Sequence, residues 1–222
     1  MIFIEDYIRQ MIEKLSDHFQ TRLLYVGLQG SYLRGEATPD SDIDIMAVID
    51  GLSVTDLDAY STIVKSLPYA DKACGFICSR VDLLNWNPLE ICHLVNTTKD
   101  YYGELKELIP SYTELDVRNF VKVSINNLYH GICHRYIHGK ADYTINDLAG
   151  TYKCVFFILQ NLYYLQTGEF IATKHDLIPL LEGDSQRVLE RSMELNKGIC
   201  HAFDDSYELL FNWCQETLME LA

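Results

Sequence analysis

The chain has 222 residues, 48% hydrophobic and 23% charged, proportions of a folded protein of one large or two modest domains and not of a disordered, collagen-like or coiled-coil chain. Eighteen basic residues against 32 acidic ones leave a formal charge of −14, which repels a nucleic-acid backbone, and no basic run offsets it.

The segment from Ile4 to Phe19 places Ile4, Ile8, Met11, Ile12, Leu15 and Phe19 at three- and four-residue spacings, the pattern of an amphipathic helix. Glu5 and Asp6 occupy the positions where an export signal needs a basic start. The longest apolar run, Cys154 to Leu159, is far below the roughly 20 residues that cross a bilayer, so no membrane partner is expected. Seven scattered cysteines without an export signal fit free thiols in a reducing compartment, the cytoplasm.

Arg22 to Leu28 and Ile43 to Ile49 are short apolar runs flanking a polar loop, and they read as neighbouring strands. Ser53 followed by Asp56 is a capping-box start for a helix over 54–67, which Pro68 ends. Ala73 to Ser79 is a third strand, in which Gly75 marks a bulge or close backbone approach. From Val81 to Gly103 the signals are mixed.

Beyond Pro110 long periodic segments predict helices near 115–138, 145–166, 173–181, 185–195 and 202–221. Gly139 and Gly168 suit left-handed helix ends, and Asp184 suits the cap of the helix after it. The fold class is therefore α+β, a small mixed-sheet domain over 1–110 followed by an all-α helical bundle over 111–222.

Chemistry concentrates in Gly30 to Ile45, GSYLRGEATPDSDIDI. Alternate residues of a strand share a face, so Asp42 and Asp44 point one way while Ile43 and Ile45 point to the core. Two carboxylates that close repel each other unless a cation lies between them, and hard oxygen ligands suit Mg²⁺ with its waters and phosphates. Gly30 and Ser31 offer a tight turn whose backbone N–H groups and hydroxyl can approach phosphate oxygens.

Gly30-Ser31, ten residues, then Asp42-Ile43-Asp44 resembles the signature of the DNA polymerase beta-like nucleotidyltransferase superfamily. The intervening RGEATPDS is similar to its bacterial small-molecule and minimal nucleotidyltransferases. The layout resembles kanamycin nucleotidyltransferase-like proteins, in which a HEPN-type helical bundle follows the catalytic domain. The resemblance implies that Gly30 and Ser31 bind the phosphates of an NTP and that Asp42 and Asp44 hold Mg²⁺, with two ions expected. It implies transfer of a nucleoside monophosphate to a hydroxyl of an aminoglycoside-like small molecule or of a protein, and a homodimer. The family site also has a third carboxylate on a later strand. The strand ACGFICS has none, leaving Asp71, Asp82 or Glu90, and Asp82 is chosen because a strand extended to Leu83 would carry it to the pair. Without that carboxylate, the alternative is a nucleotide-binding regulatory module with weak or absent transfer.

Lys153 lies in the otherwise apolar TYKCVFFIL. The resemblance offers it as a triphosphate contact, while a lysine snorkelling from an apolar helix is the plainer reading. Tyr152 and Lys174 are weaker candidates. Arg34 either touches nucleotide or pairs with Glu36 or Asp40, and pairing is the plainer reading. Cys92-His93, Cys133-His134 and Cys200-His201 do not imply structural zinc, because adjacent residues point in different directions.

Overall fold

The computed structural model describes residues 2–139 and 142–221. The chain divides into two compact units between Tyr112 and Thr113. The first is a mixed α/β unit and the second is helical, so the α+β class read from the sequence holds.

In the first unit, helix α1 (Ile4–Phe19) leads into β1 (Leu23–Leu28), a single helical turn α2 (Gly30–Leu33), β2 (Ile43–Ile49), α3 (Val54–Lys65) and β3 (Ala73–Cys78). Two helices, α4 (Arg80–Leu84) and α5 (Pro88–Asn96), and a last strand β4 (Lys99–Tyr102) follow. The four strands run in the order β3-β2-β1-β4, with β1 antiparallel to β2 and β4 and with β2 parallel to β3.

Strand alternation divides the core in two. Ile43, Ile45 and Ile49 meet Tyr7, Ile8, Met11 and Leu15 of α1, with Tyr60 and Ile63 of α3 beside them. On the opposite face Tyr25, Met46 and Val48 pack with Cys78, Leu83, Leu105 and Leu108. Arg22 ties the start of β1 to α3, its guanidinium donating to Asp56 at 2.7 Å and to the Gly51 carbonyl at 3.0 Å. Ser53 and Asp56 form the expected capping box, and Ser79/Asp82, Thr113/Asp116 and Thr144/Asp147 repeat it.

The helical unit comprises α6 (Glu114–His138), α7 (Ile145–Tyr152), α8 (Val155–Thr167), α9 (Lys174–Leu177), α10 (Gly183–Asn196) and α11 (Phe203–Glu220). Its core gathers Ile125 and Ile132 of α6, Tyr152, Phe156 and Leu159 of the middle helices, Leu189 of α10 and Trp213 of α11.

Several expectations need correction. The segment 81–103 contains two helices and the edge strand β4, whose Lys99 and Asp100 conceal it because edge strands carry charge without cost to the core. The helix expected over 145–166 is two helices, broken at Lys153–Cys154 where the Tyr152 carbonyl accepts the Ser192 hydroxyl at 3.0 Å. The segment 173–181 is only the short α9 and a 3₁₀ turn containing Pro179. Asp184 is not a cap: Glu182 occupies the N-cap position and Asp184 pairs with Arg187 at 2.6 Å. Gly168 is left-handed at φ +77°, whereas Gly139 ends α6 at φ −109°.

Leu15 is fully buried between α1 and the sheet. Leu15→Ala should lower stability by about 2–5 kcal/mol, read as a fall in the urea midpoint; a midpoint at the wild-type value would contradict this packing.

Candidate active site

The site is built where β1 hands over to β2. Past Leu28, the Gln29 N–H donates to the Asp44 carbonyl at 2.9 Å, which ties the entry of the turn to the second strand. Gly30 follows with φ +69°, and a Cβ there would run into the Asp44 carboxylate. Glycine is required both by the left-handed backbone and by the space the carboxylate fills. Ser31 stands in the one turn of α2, where the first amides have no intrahelical acceptor. The Ser31 carbonyl accepts the Glu36 N–H at 2.9 Å and closes the loop.

Ile43 and Ile45 are buried against α1 and α3, so strand alternation places Asp44 on the opposite face, with Asp42 two residues before it. Asp42 is exposed and Asp44 half-buried. Burial pushes the Asp44 carboxyl above its usual range, against a hydrogen bond with Cys74 that lowers it, and the Asp42 charge adds to the rise while Arg34 opposes it. The fold thus brings Gly30 against Asp44, with Asp42 close enough to act on it electrostatically and Ser31 next along the turn.

Two carboxylates with a bare backbone turn fit Mg²⁺, which takes one or two protein carboxylates and completes its shell with phosphate oxygens and water. Among the described residues no group of three or more His, Cys, Asp and Glu side chains is arranged to hold an ion alone.

Asp82 does not join the pair. β3 ends at Cys78, and Ser79 caps α4 by accepting the Asp82 N–H on its hydroxyl at 3.1 Å, while its own N–H and hydroxyl donate to the Asp82 carboxylate at 2.9 and 2.6 Å. Those bonds hold the Asp82 carboxyl below its usual range. The parallel register runs from Ile43 opposite Ala73 to Val48 opposite Cys78, so the strand that carries a residue beside Asp44 ends four residues later, and Asp82 stands in the helix that follows it. Glu90 is also engaged, accepting the Trp86 indole N–H at 2.5 Å. Asp71 lies in the 3₁₀ turn Ala70–Lys72 that enters β3.

The residue that faces Asp44 across the β2–β3 pair is Cys74. Cys74 is exposed, yet partial desolvation and the nearby Asp44 and Asp42 charges raise its thiol, so a neutral thiol stands opposite Asp44. Arg34 forms a half-buried ion pair with Glu36 at 3.0 Å and also acts electrostatically on Asp44 and His93. Burial, with Arg34 nearby, lowers His93 to about 4, leaving it neutral at neutral pH. Lys153 is exposed at the break between α7 and α8 in the helical unit.

Residues 8–103 match the family model of the nucleotidyltransferase domain. The first unit carries a nucleotidyltransferase domain. In fold the chain is similar to the spectinomycin adenyltransferase AAD(9) from Enterococcus faecialis, crystallised with ATP and spectinomycin, at TM-score 0.61 and 15% identity over 97% of this chain and 99% of that one. No curated protein matches the sequence.

Two residues that the structure places beside Asp44 or Arg34 carry no site role in the sequence reading. Cys74 was read only as a thiol, although its place one residue into a strand beside the DID strand was a usable signal. His93 came into view only as half of a Cys-His pair.

Gly30→Ala should displace the Asp44 carboxylate and abolish Mg²⁺-dependent ATP binding while leaving the far-ultraviolet circular dichroism unchanged; an unaltered calorimetric affinity would contradict the close approach. Asp44, with its carboxyl raised on folding, disfavours the folded state once ionised. In chelator at neutral pH, Asp44→Asn should therefore be more stable to urea than wild type. That gain should shrink as the pH falls through the raised titration range of Asp44, where the wild-type side chain is itself protonated.

Proposed function

We propose that the protein is an Mg²⁺-dependent nucleotidyltransferase that moves a nucleoside monophosphate from an NTP, such as ATP, to a hydroxyl of a small cationic, aminoglycoside-like acceptor and releases pyrophosphate. The observation that carries this reading is the bare Gly30 turn closed onto the Asp44 carboxylate, with Asp42 beside it. Asp42 and Asp44 would hold Mg²⁺, with two ions expected. When bound, Mg²⁺ supplies positive charge for the triphosphate and for the charge that develops on the phosphoryl oxygens during transfer.

The chain's own residues orient. Gly30 admits phosphate to the backbone because it lacks a Cβ, and the Ser31 amide and hydroxyl lie next along the turn. Asp44 is held in place from behind by the strand pairing of β1 and β2. A net charge of −14 favours approach of a cationic acceptor, in keeping with the spectinomycin bound to the similar structure.

We give Asp82 the capping role and not the proton-accepting one. Asp82→Asn should lower the thermal midpoint through the weakened cap and leave the rate per folded molecule at the wild-type level.

Cys74 favours a second reading, a nucleotide-binding module with weak or absent transfer, because a neutral thiol is a poor proton acceptor for an attacking hydroxyl. A labelled-ATP assay against a panel of aminoglycosides, aminocyclitols and cell protein separates the two. The first reading expects Mg²⁺-dependent labelling of a small molecule, reduced about 10²-fold or more in Asp42→Asn/Asp44→Asn. The second expects Mg-ATP binding without transfer, and transfer appearing in Cys74→Asp. Labelling of a protein band alone would move the acceptor from small molecule to protein.

A further inference from the structure

Three of the chain's seven histidines stand at four-residue intervals on α6: His130, His134 and His138. All three are exposed. Residues four apart on a helix share a face one turn above one another, and the imidazoles form a ladder with ring centroids 6.0 Å apart for His130 and His134 and 4.7 Å apart for His134 and His138. Packing does not account for it, because the buried stripe of α6 is Val117, Val121, Ile125, Leu128 and Ile132.

Two imidazoles on one tetrahedral Zn²⁺, with Zn–N about 2.0–2.1 Å, place their ring centroids about 5 Å apart. The two observed spacings bracket that value. Paired histidines at positions i and i+4 of a helix are the arrangement by which a helix offers two nitrogens to one ion. The outer two, His130 and His138, are about 12 Å apart along the axis and cannot share an ion, in agreement with the lack of a three-ligand group among the described residues.

We propose that the exposed face of α6 binds one divalent transition-metal ion of the Zn²⁺, Ni²⁺ or Cu²⁺ kind, through His134 and one of His130 or His138. Its remaining coordination positions stay open to water or an outside ligand. Neutral imidazole selects these ions, whereas the carboxylates of Asp42 and Asp44 select Mg²⁺, so the two kinds of site differ in ligand chemistry. Adjacent Cys-His pairs point apart, but the four-residue repeat brings like side chains together. An ion that bridges one turn binds the folded helix and not the unfolded chain, so it stabilises the fold by mass action.

The test is calorimetric titration of the full chain with Ni²⁺ in saturating Mg²⁺, with a thermal melt alongside. Wild type should bind Ni²⁺ and melt at higher temperature with it. Because both pairs use His134, His134→Gln should lose about tenfold or more in affinity, together with the melting shift. His130→Gln and His138→Gln should each keep one pair and bind, while the variant lacking both should behave as His134→Gln does, which also guards against a folding defect of either. All seven cysteines remain in every variant, so a thiol site would bind unchanged. Unchanged Ni²⁺ affinity in His134→Gln, or no binding by wild type, would overturn the proposal.

Discussion

The contact on which the nucleotidyltransferase domain depends is the approach of the Gly30 backbone to the Asp44 carboxylate. It needs an antiparallel β1–β2 pair in register, with Leu28 opposite Ile45, because the turn leaves β1 at the level where Asp44 leaves the core. It also needs the isoleucines on either side of Asp44 to be buried, since that burial sets which face the carboxylate occupies. A one-residue slip would turn Asp44 into the layer of α1 and α3 and lift Ile45 into the site. The hydrophobic core therefore specifies the chemistry: Ile43 and Ile45 aim the aspartate by having nowhere else to go.

That aim has an electrostatic cost. A half-buried carboxylate beside a second one resists ionisation: burial raises Asp44 first, and the Asp42 charge adds to the rise. The fold tolerates it with one nearby counter-charge, Arg34, which is itself shared with Glu36. A cation would offset the repulsion between Asp42 and Asp44 more completely than the shared Arg34 does.

Much of this was legible in the sequence, and the failures are instructive. GS, DID and the alternating isoleucines are local signals, so the turn, the two strands and the shared face of the aspartates could be read directly. The cap at Ser79 and Asp82 went unread although its signal is present: the two have the same spacing as Ser53 and Asp56, which reads as a cap. The letters were the same; what differed was the assumption that the strand continued past Ser79. β4 escaped because a short edge strand has little hydrophobic pattern to show. The break at Lys153 escaped because its cause is Ser192, forty residues away in sequence, reaching the Tyr152 carbonyl.

Cys74 shows the limit most clearly. Composition and periodicity place it in a strand but cannot say which residue of β2 it faces, because a parallel pairing joined through a helix carries no turn to set the register. Three-dimensional pairing supplies that information, with Asp44 opposite Cys74, while Gly75 next to it has φ +143° and admits the Ile45 carbonyl where a Cβ would otherwise sit. The glycine thus lets β3 lie close against β2, where the exposed Cys74 thiol hydrogen-bonds the Asp44 carboxylate. A search of the sequence for a third acid looks outward from the strand, toward Asp71, Asp82 and Glu90. The register instead directs attention to a residue that is not an acid, which is why Cys74→Asp is the substitution on which the two proposed readings divide.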